Sequence, residues 1–404
     1  MAGKPYPQPM NATARFGMPR IVYCSWFGDL GGGERRMLDH IQRSRISPER
    51  LIALLGAAGD LKQKLDDLGV QTEVLRWKSE RNWIAKQWQW YKTKARCGWF
   101  LIRSRPAVLL CNTWHDLETT GRVAAQLDIP IIWRARADTF VRTDSWPPAK
   151  LQELVSFLNR YVARILPTTQ YEARNMMQSG VIDSKIRVIH NGVDLDRYRD
   201  ESNGKRLREE LRIAEETPVI AFVARMVPQK GYEVFLEALT KLKQSGYSFR
   251  ALLVGDTTLL ESQPDHYRAK IHRLVHEYDL DHYVMLLGAR EDVNSIMKAS
   301  DVFVLSSLIE PFGTTVIEAM AASRPVIASD LPGPRESAVE NDTALFFPPG
   351  DVDALVHNLK RLLDDRVLRR EMGVRGRQRA EALFAMDKYV HALDEEILSF
   401  ASRI

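Results

Sequence analysis

The chain predicts an α/β protein built from two Rossmann-like domains facing each other across a cleft. Three observations carry that expectation. Short β-branched runs alternate with longer helical stretches, a pattern that selects parallel sheets covered by helices on both faces. At 404 residues the chain exceeds what a single core usually supports, so two domains are the natural division. Glycine-bearing loops follow strands in both halves, at the carboxyl ends where such sheets hold ligands.

Taken in order, residues 1–19 read as a flexible, proline-bearing tail without the apolar core of a secretory signal. The N-terminal domain, 20–195, offers strands at RIVYCSW (20–26), RLIALL (50–55), AVLLC (107–111), IPIIW (129–133) and IRVIH (186–190). The link NGVDLDRYRDESNGKR (191–206) leads into the C-terminal domain, 205–384. Its strands are PVIAFVA (218–224), FRALLVG (249–255), YVMLLG (283–288), DVFVLS (301–306) and PVIASD (325–330). Segments such as GYEVFLEALTKLKQSG (231–246) have helical spacing between them. The amphipathic end, 385–404, reads as a last helix.

Hydrophobic content of 45% beside 27% charged residues excludes a disordered or fibrous chain. No apolar run reaches the ~18 residues of a membrane span. Cys24, Cys97 and Cys111 are odd in number, sit in or beside apolar segments and lack metal-ligand spacing, which fits reduced thiols in a cytoplasm. The sequon-like Asn11-Ala12-Thr13 then carries no meaning. The net charge of +5 is uneven, because 76–103 holds eight Lys/Arg against one Glu, and five of the nine tryptophans.

Three loops carry chemistry. In EPFGTTVIEAMA (310–321) two carboxylates, Glu310 and Glu318, flank a turn at Gly313 and a helix start at Thr314 and Thr315. A helix N-terminus offers unpaired N–H groups and a positive dipole end, a ready phosphate site. Thr315-Val316-Ile317-Glu318 is also a capping box, so Glu318 has a structural reading as well. VARMVPQKG (223–231) places Arg225 and Lys230 five residues apart after a strand, a fork and a point charge suited to a diphosphate. WFGDLGGGERRML (26–38) supplies Gly31, Gly32 and Gly33 ahead of a helix expected to open at Glu34. Neither G-x-G-x-x-G with its downstream acid nor a Walker loop is present, which excludes a dinucleotide enzyme.

Together these stretches resemble the GT-B glycosyltransferases, in particular the retaining group called glycosyltransferase family 4. The likeness runs from about residue 20 to the end and is densest over 186–350. VIHNGVDLDRY (188–198), LLGAREDVNSIMKASDVFVLSS (286–307), PVIASDLPGPRE (325–336) and PPGDVDAL (348–355) extend it. The resemblance implies that Glu310 contacts donor sugar hydroxyls and Glu318 the ribose. It implies that Arg225 and Lys230 hold the diphosphate, with backbone N–H groups of Gly313, Thr314 and Thr315 beside them. The loop of Gly288, Arg290 and Val293 matches the family's base-binding loop, and Gly31 and Gly32 its glycine pair near phosphates and acceptor.

No metal and no other cofactor is expected, since such enzymes commonly neutralise the leaving diphosphate with basic side chains and helix ends. Asp194-Leu195-Asp196 and Asp351-Val352-Asp353 both read D-x-D, but as a link and a helix cap. Many relatives carry a histidine after the strand matching AVLLC. Here that position is Asn112, with His115 three residues on, and either residue fits the role. Ser323 and Ala344 stand where relatives usually have glycine.

The implied activity is hexose transfer from a nucleotide sugar, with a UDP-sugar such as UDP-glucose the most frequent donor. The preferred acceptor is lipid-linked, in cell-surface polysaccharide assembly on the cytoplasmic face of the plasma membrane. A small soluble acceptor is the first rival, and a non-catalytic nucleotide-sugar-binding docking subunit the second. The stretch 76–103 bears on this choice. On a helix Ile84, Trp88, Tyr91 and Ala95 share one stripe, which either packs in the core or docks peripherally on an anionic membrane. No nucleic-acid fold signature accompanies it.

Overall fold

In a computed structural model, residues 20–28, 30–75, 83–135, 140, 147–257 and 264–401 are described, with side chains from 87 on in the helix that begins at Trp83 and from 266 on in the one that begins at Pro264. The tail 1–19 and the start of the tryptophan stretch, 76–82 with Trp77 and Arg81, lie outside them. So do the side chains of Trp83, Ile84 and Lys86.

The chain divides into two compact units. Unit 1 runs through β1 (Ile21–Ser25), α1 (Gly32–Arg43), β2 (Leu51–Leu55), α2 (Asp60–Asp67), β3 (Gln71–Val74) and α3 (Trp83–Ser104). It continues with β4 (Val108–Cys111), α4 (Trp114–Asp116), α5 (Arg122–Ala125), β5 (Ile131–Trp133), most of α6 (Pro148–Tyr161) and β6 (Val162–Ile165). Its six strands are parallel, in the order β3-β2-β1-β4-β5-β6.

Unit 2 begins with α7 (Gln170–Gln178), α8 (Ser202–Glu210), β7 (Val219–Val223), α9 (Tyr232–Gln244), β8 (Arg250–Val254), α10 (Pro264–Glu277), β9 (Val284–Leu286) and α11 (Val293–Ala299). Then come β10 (Val302–Leu305), α12 (Thr314–Ala321), β11 (Val326–Ser329), α13 (Pro332–Ser337), β12 (Ala344–Phe347), α14 (Val352–Asp364) and α15 (Arg366–Leu383). The second sheet is also parallel, β12-β11-β10-β7-β8-β9, so both units repeat one doubly wound topology. In α16 (Met386–Ala401) the residues from Leu393 on group with unit 1. There the buried Asp394 carboxylate lies 2.9 Å from His40 Nε2 on α1 and accepts from Ser44 Oγ at 2.6 Å. Burial alone would raise Asp394, but those hydrogen bonds hold its pKa below the usual value, while burial keeps His40 neutral.

Central strands are almost wholly apolar because helices cover both faces: β1, β2, β7 and β10 are buried at every position, Ser25 at the end of β1 being the one polar residue. These are the runs that sequence pattern detects. Three strands escape it. Edge strand β3 is nowhere fully buried, edge strand β6 is buried only at its ends, and β12 is a short run after a turn. IRVIH (186–190) is not a strand, and the edge of the first sheet beyond β5 is β6. Residues 167–192, placed by sequence in the first domain, pack with unit 2. Backbone N–H groups of Gln170 and Tyr171 donate to the Glu336 carboxylate at 2.7 Å each.

Gly231 and Ser323 illustrate the demands of the backbone. Gly231 has φ +68°, and a Cβ there would lie 2.0 Å from the Ser306 carbonyl oxygen. Ser323 adopts φ +60°, the left-handed conformation that the glycine usual in relatives adopts without strain.

Helix α3 answers the question of its tryptophans. Thr93, Cys97, Phe100 and Leu101 face inward, and Trp90 meets Trp26 edge-on at 6.2 Å. The stripe of Trp88, Tyr91 and Ala95 faces outward, so packing in the core does not account for it. The three cysteines are buried free thiols, and burial pushes Cys97 up to about 12.

Candidate functional site

In a doubly wound sheet, loops leaving adjacent strands in opposite directions open a crevice at the carboxyl edge. Each unit has one such switch point, between β1 and β4 in unit 1 and between β7 and β10 in unit 2. Most of the residues singled out above lie at one or the other.

At the unit 2 switch, Arg225 and Lys230 follow β7, while Glu310 and Gly313 follow β10, its hydrogen-bonded neighbour. Strand pairing therefore juxtaposes residues eighty positions apart. Lys230 Nζ donates to Glu310 Oε2 at 2.6 Å, with the two side chains only 17% and 10% exposed. Glu310 Oε1 accepts from the Gly313 N–H at 3.1 Å, and Ser307 Oγ donates to Oε2 at 3.4 Å. The two loops are also stitched by Ser306 Oγ to the Gly231 carbonyl, 2.8 Å, and Leu308 N–H to the Gln229 carbonyl, 2.8 Å.

Gly313, at φ +85°, is the N-cap of α12. The helix thus opens at Thr314, one residue before the proposed box, and Glu318 sits in its second turn. The capping-box reading of Thr315 and Glu318 fails on this geometry. The Gly313 N–H is also spent on Glu310 rather than left for a phosphate. The N–H groups of Thr314 and Thr315 have no acceptor among the described residues, so they carry the dipole end of the helix. The Thr314 hydroxyl accepts from Asn191 Nδ2 at 3.2 Å, and His190 stacks on Phe312 at 5.7 Å. These two residues of VIHNGVDLDRY support the turn. The motif was visible in sequence, but its place under α12 was not.

The Arg225 side chain is exposed and has no hydrogen-bond or ion-pair partner among the described residues. Its backbone is pinned, since Met226 N–H donates to the Asp256 carbonyl at 2.9 Å after β8. Next along the edge, Gly255 N–H donates to the Gly288 carbonyl at 2.8 Å, bringing in the loop after β9. Loops after β10, β7, β8 and β9 therefore form one row, which at ~4.8 Å per strand spans about 15 Å. Gly288 has φ +65°, and Val293 opens α11. Arg290 pairs through Nε and Nη2 with Asp292 at 2.8 Å each, and with Glu210 at 3.3 Å. The Asp292 hydrogen bonds raise its pKa further, so its guanidinium is held by protein acids.

At the unit 1 switch, α1 opens at Gly32 with Gly31 as N-cap, two residues earlier than expected. Both glycines are exposed, and no neighbour lies within 4 Å of a Cβ built on Gly32. Glu34 is buried behind them and accepts from Ser25 Oγ at 2.9 Å. After β4, Asn112 is wholly buried. Its Oδ1 accepts from Arg134 Nη1 at 3.3 Å, and the same guanidinium donates to the Tyr23 hydroxyl at 2.8 Å. Asn112 Nδ2 is buried with no hydrogen-bond partner among the described residues. His115 is exposed overall, but its ring packs edge-on against Phe27 at 5.6 Å, and the partial loss of water lowers its pKa. The pair thus separates: Asn112 is inside, His115 at the surface.

Sequence reasoning missed Asp116, fully buried one residue further. Burial raises its pKa to about 7, against hydrogen bonds from the Thr113 hydroxyl and N–H. Its signal was Thr113-x-x-Asp116, a capping box that the structure forms. The two D-x-D pairs are caps as well: Asp194 accepts from Asp196 N–H, and Asp351 from Ala354 N–H. Among the described residues no cluster of His, Cys, Asp and Glu is placed to hold a metal.

Two Rossmann-like units, each with its loops gathered at a switch point, define a protein of the GT-B class. Family comparison agrees along both halves. The family described as Glycosyltransferase Family 4 matches residues 31–197, and that described as Glycosyl transferases group 1 matches 203–379. The chain belongs to the family 4-like GT-B glycosyltransferases. A UDP-Gal:alpha-D-GlcNAc-diphosphoundecaprenol alpha-1,3-galactosyltransferase of Escherichia coli is 32% identical over 188 residues, 46% of each chain. A D-inositol 3-phosphate glycosyltransferase of Nocardia farcinica is 31% identical over 293 residues, 70% of this chain and 60% of the relative. The chain thus spans about half the length of the curated relatives it matches. The crystal structure of Anabaena HepE with UDP and glucose matches 96% of this chain and all of that one, with TM-score 0.80 at 21% identity, a likeness of fold.

Proposed function

We propose that this protein is a retaining, metal-independent glycosyltransferase. It moves a hexose from a nucleotide sugar, with UDP-glucose the leading choice, to a lipid-linked acceptor in cell-surface glycan assembly. The observation that carries the reading is the unit 2 switch point. There a half-buried Lys230–Glu310 pair joins the loop after β7, which also bears the exposed Arg225, to the loop after β10, which leads into the N-terminus of α12.

Breaking the bond from the anomeric carbon to the nucleotide leaves negative charge on the diphosphate. Arg225 and Lys230 neutralise it as it develops, and the α12 N-terminus adds a fixed dipole that needs no reorganisation. Glu310, anchored by Lys230, Ser307 and Gly313, positions the donor sugar. The acceptor hydroxyl attacks from the face the nucleotide leaves, its proton passing to the departing phosphate oxygen. No side chain then serves as a dedicated base, and retention is the family's habit rather than a reading of these residues. The diphosphoundecaprenol in the name of the E. coli relative supports a lipid-linked acceptor and a site of action at the cytoplasmic face of a membrane. The inositol phosphate in the other supports the small-acceptor rival.

The test is donor hydrolysis and transfer by the purified chain across UDP-, GDP- and ADP-sugars, with EDTA present. Turnover of one donor that survives EDTA and collapses in Arg225→Ala and Lys230→Ala is expected. Donor binding without turnover would favour the docking-subunit rival, and loss of activity in EDTA would end metal independence.

A further inference from the structure

Helix α3 carries a surface that its packing leaves unexplained. Trp88, Tyr91, Ala95, Trp99 and Ile102 recur at spacings of three and four, which places them on one stripe. The structure turns that stripe outward: Trp88 is 64% exposed, Tyr91 65%, Trp99 63% and Ile102 59%. Contiguous exposed apolar surface of this kind marks a contact on most soluble domains. Lys92, Arg96 and Arg103 flank it on one side and Lys94 on the other, and α3 contains no acidic residue. Arg103 lies over the Trp99 ring at 5.3 Å and Lys94 over Trp90 at 4.9 Å, so the cations are held beside the aromatics. Alongside the stripe runs an open groove of about 410 Å³ between α3 and α5, lined by Tyr91, Lys94, Gly98, Ile102 and Val123. Arg122 also lines it, but its charge is met by Glu118 at 3.1 Å and Glu153 at 2.9 Å, so it adds nothing to the basic face.

We infer that the outer face of α3 seats this protein on an anionic lipid surface. The stripe would enter the headgroup boundary, and the flanking cations would meet lipid phosphates. Charge decides the occupant. A second copy of α3 would bring the same cations face to face, whereas an anionic leaflet complements all of them. No helix among the described residues is long and apolar enough to cross a membrane, so the contact is peripheral. The inference rests on the transferase reading for its purpose, delivering a lipid-linked acceptor to the enzyme, but its test is separate.

The full chain is co-sedimented with phosphatidylcholine vesicles and with vesicles containing phosphatidylglycerol, at low and high salt. Binding is expected only to the anionic vesicles, weakened by salt. Each removed cation should cost roughly fivefold in affinity, so Lys92→Gln with Arg96→Gln and Arg103→Gln should lose about a hundredfold. Trp88→Ser with Trp99→Ser should lose about tenfold or more. These side chains are exposed, and the charge variant gives up one hydrogen bond to the protein, from Arg96 Nη1 to the Leu75 carbonyl at 3.2 Å, so thermal melts should stay within about 5 °C of the parent and show that both variants fold. Equal binding to neutral vesicles, unchanged binding by either variant, tighter binding to nucleic acid, or a dimer that both variants dissolve would each overturn the inference. Donor hydrolysis without vesicles should be unchanged in both variants. Lost vesicle binding with hydrolysis intact sinks docking alone, and absent hydrolysis with binding intact sinks the transferase reading alone.

Discussion

Glu310→Gln keeps the shape of the side chain at the unit 2 switch and removes its charge. In the parent, Lys230 Nζ sits 2.6 Å from Glu310 Oε2, with little solvent around either group. The exchange leaves a half-buried ammonium with only an amide oxygen beside it. A charge-assisted hydrogen bond contributes about 1.5–3 kcal/mol, and the exposure of this pair places the loss near 2 kcal/mol. For a unit of this size that is a fall of roughly 5 °C in melting temperature. Activity should fall much further. A preorganised cation facing a departing phosphate is worth about 10²–10³ in kcat, so Lys230→Met should lose that much. The pair Lys230→Met with Glu310→Gln separates stability from chemistry. Removing both charges leaves no orphan, so the double variant should melt within about 1 kcal/mol of the parent yet stay inactive. The assays are thermal unfolding and donor hydrolysis on the same samples. A double variant that regains activity along with stability would refute the reasoning, because it would make the pair a structural brace.

Arg225→Ala removes an exposed side chain that has no partner among the described residues. Its melting temperature should stay within about 1 °C of the parent while nucleotide-sugar turnover falls at least tenfold, read by kinetics and calorimetric donor titration. Gly231→Ala should destabilise unit 2 by about 2 kcal/mol or more in denaturant unfolding, because its Cβ would meet the Ser306 carbonyl at 2.0 Å in a left-handed backbone. For Asp116, burial raises the folded pKa to about 7 above an unfolded value near 3.8, so its folded state holds the proton more tightly. Its contribution therefore weakens stability progressively as pH rises from about 4 to 7 and is level above that. Asp116→Asn should remove this slope and gain about 1–3 kcal/mol at neutral pH, with little difference at pH 4, measured by urea unfolding across pH.

Pattern alone was enough for the alternation of β-branched runs and helices, because parallel strands covered on both faces are apolar at nearly every position. It was enough for the residues at the two switch points too, since Gly31, Arg225, Lys230, Glu310 and Gly313 all fall in loops just after such strands. It failed at β3, β6 and β12, where half-covered or short strands lose the apolar signal, and at 186–190, where only Ile186 makes a bridge and no strand forms. Only tertiary structure decided which candidates meet. The pairing of β7 with β10 brings Lys230 to Glu310, and the start of α12 at Thr314 puts Glu318 in the second turn, past the capping-box position. Burial separates Asn112 from His115, and ion pairs occupy the Arg290 guanidinium. The clearest division is in α3. Its sequence allows the stripe through Trp88 and Trp99 to face either way, because an amphipathic repeat fixes which residues share a side but not which side a core covers. Packing on Thr93, Cys97, Phe100 and Leu101 made that choice and turned the tryptophans toward solvent.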